Sequence, residues 1–173
     1  MLVVLAATGG VGTFAVQIAR DRGAHVIGTA RQSNEQLAHS LGVEAFVGYD
    51  EHNVVESIKA AHPNGVDAVL DLVDDANAIG SMAAVMKNGG TIVSTIGAAD
   101  VKWFEQRGMH ALNIVMAQTP ASSHKGLREL LELLERGAIR VMIGGERSLR
   151  DVVAALDESK SGSVDGKLVL TVD

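Results

Sequence analysis

Residues 2–31 constrain the fold of this chain more than any other stretch. An apolar run ends in the glycine-rich turn Thr8-Gly9-Gly10-Val11-Gly12, an amphipathic segment follows, and a second apolar run leads to Arg31. A strand, a glycine-rich turn, a helix and a second strand in this order are typical of a dinucleotide-binding βαβ unit. Amides at the helix start and the helix dipole favour the negative charge of a pyrophosphate, and glycine leaves room for its approach.

The details of this unit predict which groups bind the cofactor. The candidates for the pyrophosphate are four turn residues: Thr8, Gly9, Gly10 and Val11. The first glycine of the usual three is missing, and Ala6 stands near its place. The second run ends in Arg31, where an acid would bind the ribose 2′-hydroxyl of NAD, and a base there suits the 2′-phosphate of NADP. The pattern favours NADPH; the alternatives are a βα turn that binds nothing and a solvated surface arginine.

The rest of the chain predicts an α/β fold. Short continuous apolar runs at 26–27, 68–70 and 92–93 alternate with helix-period segments, which is typical of strands covered on both faces. We therefore expect a Rossmann-type doubly wound parallel sheet of about six strands with helices on both faces. In the first helix, the residues expected on the buried face are Val11, Phe14, Ala15, Ile18 and Ala19, with Gln17 off that face.

Later segments carry further local predictions. The fourth helix is expected to stop at a C-cap formed by residues 87–89. A leucine stripe at 127–134 predicts a helix whose apolar side belongs to the core, with a partner-binding face as the alternative. A mobile stretch is expected at 159–165 and a final strand at 167–172.

Composition limits the class of protein. The 173 residues suit one domain, 47% of them are hydrophobic, and the net charge of −6 argues against a nucleic-acid partner. The absence of cysteine excludes a disulfide, a thiol nucleophile and cysteine-ligated zinc. The apolar start is too short for a membrane span and lacks a basic flank, so we expect no membrane partner and a cytoplasmic location.

The string from Ala6 to Ala19, AATGGVGTFAVQIA, resembles the medium-chain dehydrogenase/reductase superfamily, in its zinc-independent quinone oxidoreductase and enoyl reductase branch. Further similar segments follow in the family's order at 26–30, 41–49, 65–71, 89–93 and 166–170. The resemblance covers nearly the whole chain and implies an NADP(H)-binding Rossmann domain over residues 1–173. It also implies that the family's N-terminal GroES-like substrate domain is absent, and that the strand at 166–172 normally belongs to that domain.

The same resemblance adds candidates for the site. Asn34 stands where many members have lysine near the 2′-phosphate, and Tyr49 stands near the adenosine end, although a half-buried ring at a strand end is the alternative. The ends of the fourth and fifth strands face the ligand crevice in open parallel sheets, which nominates Val73 and Ile96 as apolar walls. Asp71 is either a ligand or a cap at its strand end.

No catalytic acid, base, nucleophile or metal site is predicted. The six histidines lack metal-ligand spacing, there is no GxSxG motif, and the missing YxxxK pair argues against short-chain dehydrogenases. Because a nicotinamide carries the chemistry of hydride transfer, we interpret the chain as part of a metal-free NADPH-dependent oxidoreductase, close to inactive alone. The alternatives are a stand-alone dinucleotide-sensing regulatory module without catalysis and an enoyl reductase component that acts in trans.

The predicted sixth strand, residues 112–117, suggests an assembly. It contains no Lys, Arg or Pro to discourage pairing at a sheet edge. In quinone oxidoreductases, which it resembles, this strand commonly pairs with its two-fold mate. We therefore expect a homodimer through residues 112–117.

Overall fold

The computed structural model describes residues 1–114 and 124–172. Six strands form the main sheet: β1 (Leu2–Val4), β2 (Val26–Ala30), β3 (Ala45–Gly48), β4 (Val66–Asp71), β5 (Met86–Ser94) and β6 (His110–Asn113). All neighbouring strands are parallel, in the order β3-β2-β1-β4-β5-β6. The predicted fold class is confirmed, and the strand order reverses direction between β1 and β4, the point where such sheets bind ligands.

Helices cover the sheet on both faces. They are α1 (Gly12–Asp21), α2 (Glu35–Leu41), α3 (Val54–Ala61), α4 (Ala76–Ser81) and α5 (Val101–Glu105). Two later helices, α6 (His124–Glu135) and α7 (Val152–Lys160), contribute no residue to the two core clusters of this sheet. Alternate residues of β1 enter different cores: Val3 packs in the cluster that contains Ile58 of α3, and Val4 in the cluster that contains Val16 of α1. Because both faces are buried, the strands are continuous apolar runs rather than alternating ones.

A second, two-stranded parallel sheet pairs β7 (Ile143–Ser148) with β8 (Lys167–Thr171). The sequence predicts β8 but not β7, because the segment Gly144-Gly145-Glu146-Arg147 contains no apolar run. A Cβ on Gly144 would overlap the carbonyl oxygen of Asp165, so the close approach of the two segments requires glycine there.

The predicted buried face of α1 is wrong at two residues. Val11 is the N-cap of the helix and is 55% exposed, whereas Gln17 is only 3% exposed. The Gln17 amide nitrogen donates to the carbonyl oxygens of Thr13 (2.8 Å) and Arg140 (3.0 Å), and the amide of Arg140 donates to Gln17 Oε1 (2.9 Å). A polar side chain is therefore buried here because the backbone at Arg140, 123 residues away, satisfies it.

Two other helix predictions also need correction. Residues 87–89 do not cap α4, because the helix passes into a 3₁₀ turn at Met82–Val85 and β5 begins at Met86. The leucine stripe of α6 is not a core face: Leu127 is 58% and Leu131 49% exposed, and α6 has no buried residue within the described chain.

Strand β6 lies at the edge of the described sheet, as predicted, but begins at His110 rather than at residue 112. The remainder of the predicted strand, residues 115–117, lies outside the described residues. No helix in the described part of the chain is long and apolar enough to cross a membrane.

Candidate functional site

A crevice of about 1420 Å³ opens at the carboxyl ends of β1, β2 and β4. It exceeds the roughly 300–1,000 Å³ of typical small-molecule sites. Of the predicted site residues, those that line it are Thr8, Gly9, Gly10, Val11, Arg31, Asn34, Tyr49 and Val73. The fold therefore brings residues from four different chain segments to one surface, at the point where the strand order reverses.

The glycine-rich turn leaves backbone donors at the crevice wall. The amide of Gly9 donates to the Ala6 carbonyl (3.1 Å) and that of Thr13 to the Gly9 carbonyl (3.0 Å). The amides of Gly10, Val11 and Gly12 have no acceptor within the described residues. Three unpaired amides at the start of α1 form an anion-binding surface, which the helix dipole strengthens.

Close packing explains the residue types in this turn. A Cβ on Gly12 would overlap the carbonyl oxygen of Ala6, and a Cβ on Gly10 would come within 3.1 Å of the Gly166 carbonyl oxygen. Ala6 itself has a φ of 58°, in the left-handed region that favours glycine. Ala6, which stands near the place of the missing first glycine, thus has a backbone conformation that glycine adopts more easily. The turn fits the diphosphate of a dinucleotide, because the amides of Gly10, Val11 and Gly12 line the crevice without an acceptor among the described residues.

The end of the crevice near β2 carries the predicted adenosine-binding residues. Arg31 follows β2 directly, and its side chain is exposed and makes no hydrogen bond or ion pair within the described residues. Tyr49 follows β3, its amide donates to the Ala30 carbonyl (3.0 Å), and its ring is about half exposed. Both interpretations of Tyr49, as an adenosine contact and as a strand-end ring, remain open.

Asp165 is a site residue that the sequence did not reveal. Its Oδ1 accepts hydrogen bonds from Asn34 Nδ2 (2.6 Å) and from Thr8 Oγ1 (3.1 Å). The side-chain Nδ2 of Asn34 also donates to Thr8 Oγ1 (3.2 Å). The backbone amide of Gly166, the residue after Asp165, donates to the Thr8 carbonyl (2.9 Å). In the stretch 159–165, whose mobility stays a prediction, α7 continues to Lys160 and Asp165 makes these hydrogen bonds.

Lys167 was likewise missed as a site residue. It lines the crevice, and its Nζ would come within 3.1 Å of a Cβ on Gly10. The same ammonium lies 6.0 Å from the ring centroid of Phe14 in α1. The sequence offers no local signal for this placement, because it depends on β8 packing beside the turn.

The loop after β4 is shaped by a buried carboxylate. Asp71 is fully buried; its Oδ1 accepts from the amides of Val73 (3.1 Å) and Asp74 (2.8 Å), and its Oδ2 accepts from Ser94 Oγ (2.7 Å). Asp71 therefore caps its strand end, and Val73 is left exposed on the crevice wall. Burial, with the nearby carboxylates of Asp71 and Asp75, raises the pKa of Asp74.

Ile96 follows β5 and is exposed, with its amide donating to Ser94 Oγ (3.3 Å). It lies outside the lining of the crevice, so its role as an apolar wall stays a prediction. Within residues 1–114 and 124–172, no group of three or more His, Asp or Glu side chains is placed to hold a metal ion.

The sequence of this chain is similar to those of known dehydrogenases and oxidoreductases. The family model described as zinc-binding dehydrogenase matches residues 41–170. The chain is 27% identical to the mitochondrial NAD(P)H oxidoreductase of Bos taurus and 29% identical to the NAD-dependent alcohol dehydrogenase of Sulfolobus acidocaldarius. These alignments cover 99% of this chain and 48% and 50% of the relatives, so the chain spans about half the length of the curated relatives it matches.

A solved structure agrees with these sequence matches. The quinone oxidoreductase from Coxiella burnetii superimposes with a TM-score of 0.87 at 30% identity. The match covers 99% of this chain and 52% of that protein.

Proposed function

We propose that this chain, which belongs to the zinc-binding dehydrogenase family of the medium-chain dehydrogenase/reductase superfamily, is the cofactor-binding domain of an NADPH-dependent oxidoreductase. The observation that carries the proposal is the crevice, where three unpaired turn amides lie on the same surface as the unpaired guanidinium of Arg31. Amides at a helix start suit a diphosphate, and a free arginine at the end of β2 suits a 2′-phosphate.

The predicted site residues would each have a part in holding the cofactor. The amides of Gly10 and Val11 would bind the diphosphate, with Thr8 and Gly9 shaping the turn. Arg31 would bind the 2′-phosphate, with Asn34 and Tyr49 beside it, and Val73 would form an apolar wall together with Ile96. When bound, the nicotinamide supplies the hydride, and the protein orients it and excludes water.

We propose that the reaction is hydride transfer without a metal, to a quinone or an enoyl acceptor. The similarity to a quinone oxidoreductase supports this choice. The residues that contact the acceptor would come from a substrate domain, to which the strand at 166–172 would also contribute. The isolated chain would then bind cofactor with little turnover, and the exposed leucines of α6 would offer apolar surface to another domain or chain.

Two properties of the protein stay predictions. The homodimer through residues 112–117 is one of them. The cytoplasmic location is the other, and the Bos taurus relative is a mitochondrial protein.

Calorimetric titration of the chain with NADPH and NADH tests the cofactor proposal. We expect tighter binding of NADPH, because a charge-assisted contact to phosphate contributes about 1.5–3 kcal/mol, or roughly tenfold or more in affinity. Arg31→Ala should remove this preference, and Gly9→Val should abolish binding of both dinucleotides because its side chain would occupy the phosphate volume. Equal affinities in the parent would contradict the NADPH assignment, and no binding of either dinucleotide would contradict the whole proposal.

A further inference from the structure

The carboxylate of Asp165 accepts hydrogen bonds from two side-chain donors that line the crevice. Both Thr8 and Asn34 direct a side-chain donor to Asp165 Oδ1, at 3.1 and 2.6 Å. The Gly166 amide bond to the Thr8 carbonyl (2.9 Å) fixes the backbone beside it. The acid is therefore held inside the crevice by two hydrogen bonds from two other segments, and a third bond fixes the backbone of the residue that follows it.

The two partners of this carboxylate lie in the segments that follow β1 and β2. Thr8 lies in the turn that follows β1. Asn34 lies one 3₁₀ turn after Arg31, which follows β2, and the backbone amide of Asn34 donates to the Arg31 carbonyl (2.9 Å). Asp165 Oδ1 thus lies between the ends of β1 and β2. In a dinucleotide-binding βαβ unit, the adenosine ribose lies beside the end of the second strand.

An acid at this location distinguishes the two dinucleotides. NAD-binding units use a carboxylate near the end of the second strand to accept a hydrogen bond from the ribose 2′-hydroxyl, and a carboxylate repels a 2′-phosphate. Residue 31 is not acidic here, but Asp165 brings a carboxylate to the same neighbourhood from 131 residues beyond Asn34. Arg31 and Asp165 therefore favour opposite cofactors.

We propose that Asp165 is a second cofactor-selectivity residue, which opposes Arg31 by favouring a ribose 2′-hydroxyl over a 2′-phosphate. The inference rests on the proposed function and deepens it. It predicts that the chain prefers NADPH over NADH by a smaller difference in affinity than Arg31 alone would give. Among the other charged residues that line the crevice are Glu56, Asp74 and Lys167, which both dinucleotides would meet.

Asp165→Asn tests this assignment, because asparagine keeps an acceptor for Thr8 and Asn34 and removes only the charge. We expect the ratio of the NADH to the NADPH dissociation constant to rise roughly tenfold, as NADPH binds more tightly and NADH slightly more weakly. Titrations with adenosine 2′,5′-bisphosphate and with AMP should show the same shift, since they probe the adenosine end alone. The measurement is isothermal calorimetry, with circular dichroism and melting temperature to verify the fold.

Asp157→Asn is the matched control, since Asp157 is exposed on α7, outside the crevice, and the same charge is removed. Its ratio of dissociation constants should equal that of the parent. If Asp165→Asn does not fold, Asp165→Ser should give the same change of ratio.

The failures of the two proposals are distinguishable. If the parent binds both dinucleotides and the Asp165 variants leave the ratio unchanged, or tighten both equally, the selectivity role is wrong and the proposed function stands. If the parent binds neither dinucleotide, both proposals are wrong.

Discussion

At the scale of single residues, Ala6 shows most clearly how this chain departs from the usual glycine-rich turn. It takes a φ of 58° at the place of the first glycine. A left-handed conformation costs a residue with a Cβ about 1–2 kcal/mol. Glycine removes this cost, but the greater conformational entropy of glycine in the unfolded chain offsets about 0.5–1 kcal/mol of the gain in stability. The turn therefore carries a small backbone strain, which glycine at position 6 would relieve.

We predict that Ala6→Gly raises the free energy of unfolding by up to about 1 kcal/mol, with a melting temperature higher by about 2–4 °C. Urea denaturation and thermal melting measure both. Ala60→Gly, at an exposed position of α3, is the control and should instead destabilise by about 1 kcal/mol. A loss of stability in Ala6→Gly would show that the alanine side chain contributes more by packing than its backbone costs.

Among the secondary-structure elements, helix α1 has two roles. Its N-terminus presents amides to the crevice, and its buried Gln17 binds the backbone at Arg140, which leads into β7. A second link joins the same helix to the segment that follows α6, because Arg136 Nη1 donates to Asp21 Oδ1 (2.9 Å), and this contact lowers the pKa of the Asp21 carboxyl. The position of the β7–β8 sheet beside the turn thus depends on α1.

We predict that Gln17→Leu destabilises the fold by about 1–3 kcal/mol, because the amide and carbonyl of Arg140 would lose their partner while remaining partly buried. Chemical denaturation measures the change. Gln106→Leu, at an exposed turn after α5, provides the comparison and should be close to neutral. An equal effect of the two substitutions would mean that the Gln17 hydrogen bonds contribute nothing to stability.

At the scale of the whole molecule, β6 offers an unpaired edge in the described sheet. Leu112 on this strand is exposed, and the amide of Ile114 is already used, since it donates to the Ser94 carbonyl (2.9 Å). An isologous contact between two copies would pair both edges at once. The leucine stripe of α6 is a second exposed apolar surface, so a test of assembly must separate the two.

We predict a homodimer that forms through the strand at 112–117. Light scattering should show a dimer for the parent and a monomer for Leu112→Lys, because a lysine at the edge discourages strand pairing. Leu130→Lys, on the exposed face of α6, should remain dimeric. A monomeric parent, or a dimer that is lost with Leu130→Lys and not with Leu112→Lys, would show that β6 is not the interface.

Features of this protein that depend on neighbours along the chain could be predicted from its amino-acid sequence. The glycine-rich turn, the continuous apolar runs and the alternation of strand and helix predicted the parallel sheet, the position of the crevice and a part of its lining, from Thr8 to Val73. These signals are local, because a turn residue or an apolar run acts on its own segment.

Features that depend on contacts between segments distant in sequence could not be predicted and are seen only in the three-dimensional fold. The burial of Gln17, the pairing of β7 with β8 and the contact of Asp165 with Asn34 each need a partner many residues away. The exposure of the α6 stripe was missed for the same reason, since periodicity shows that a face is apolar but not what covers it. Hydrogen bonds and packing across the fold, rather than local propensity, determine these features.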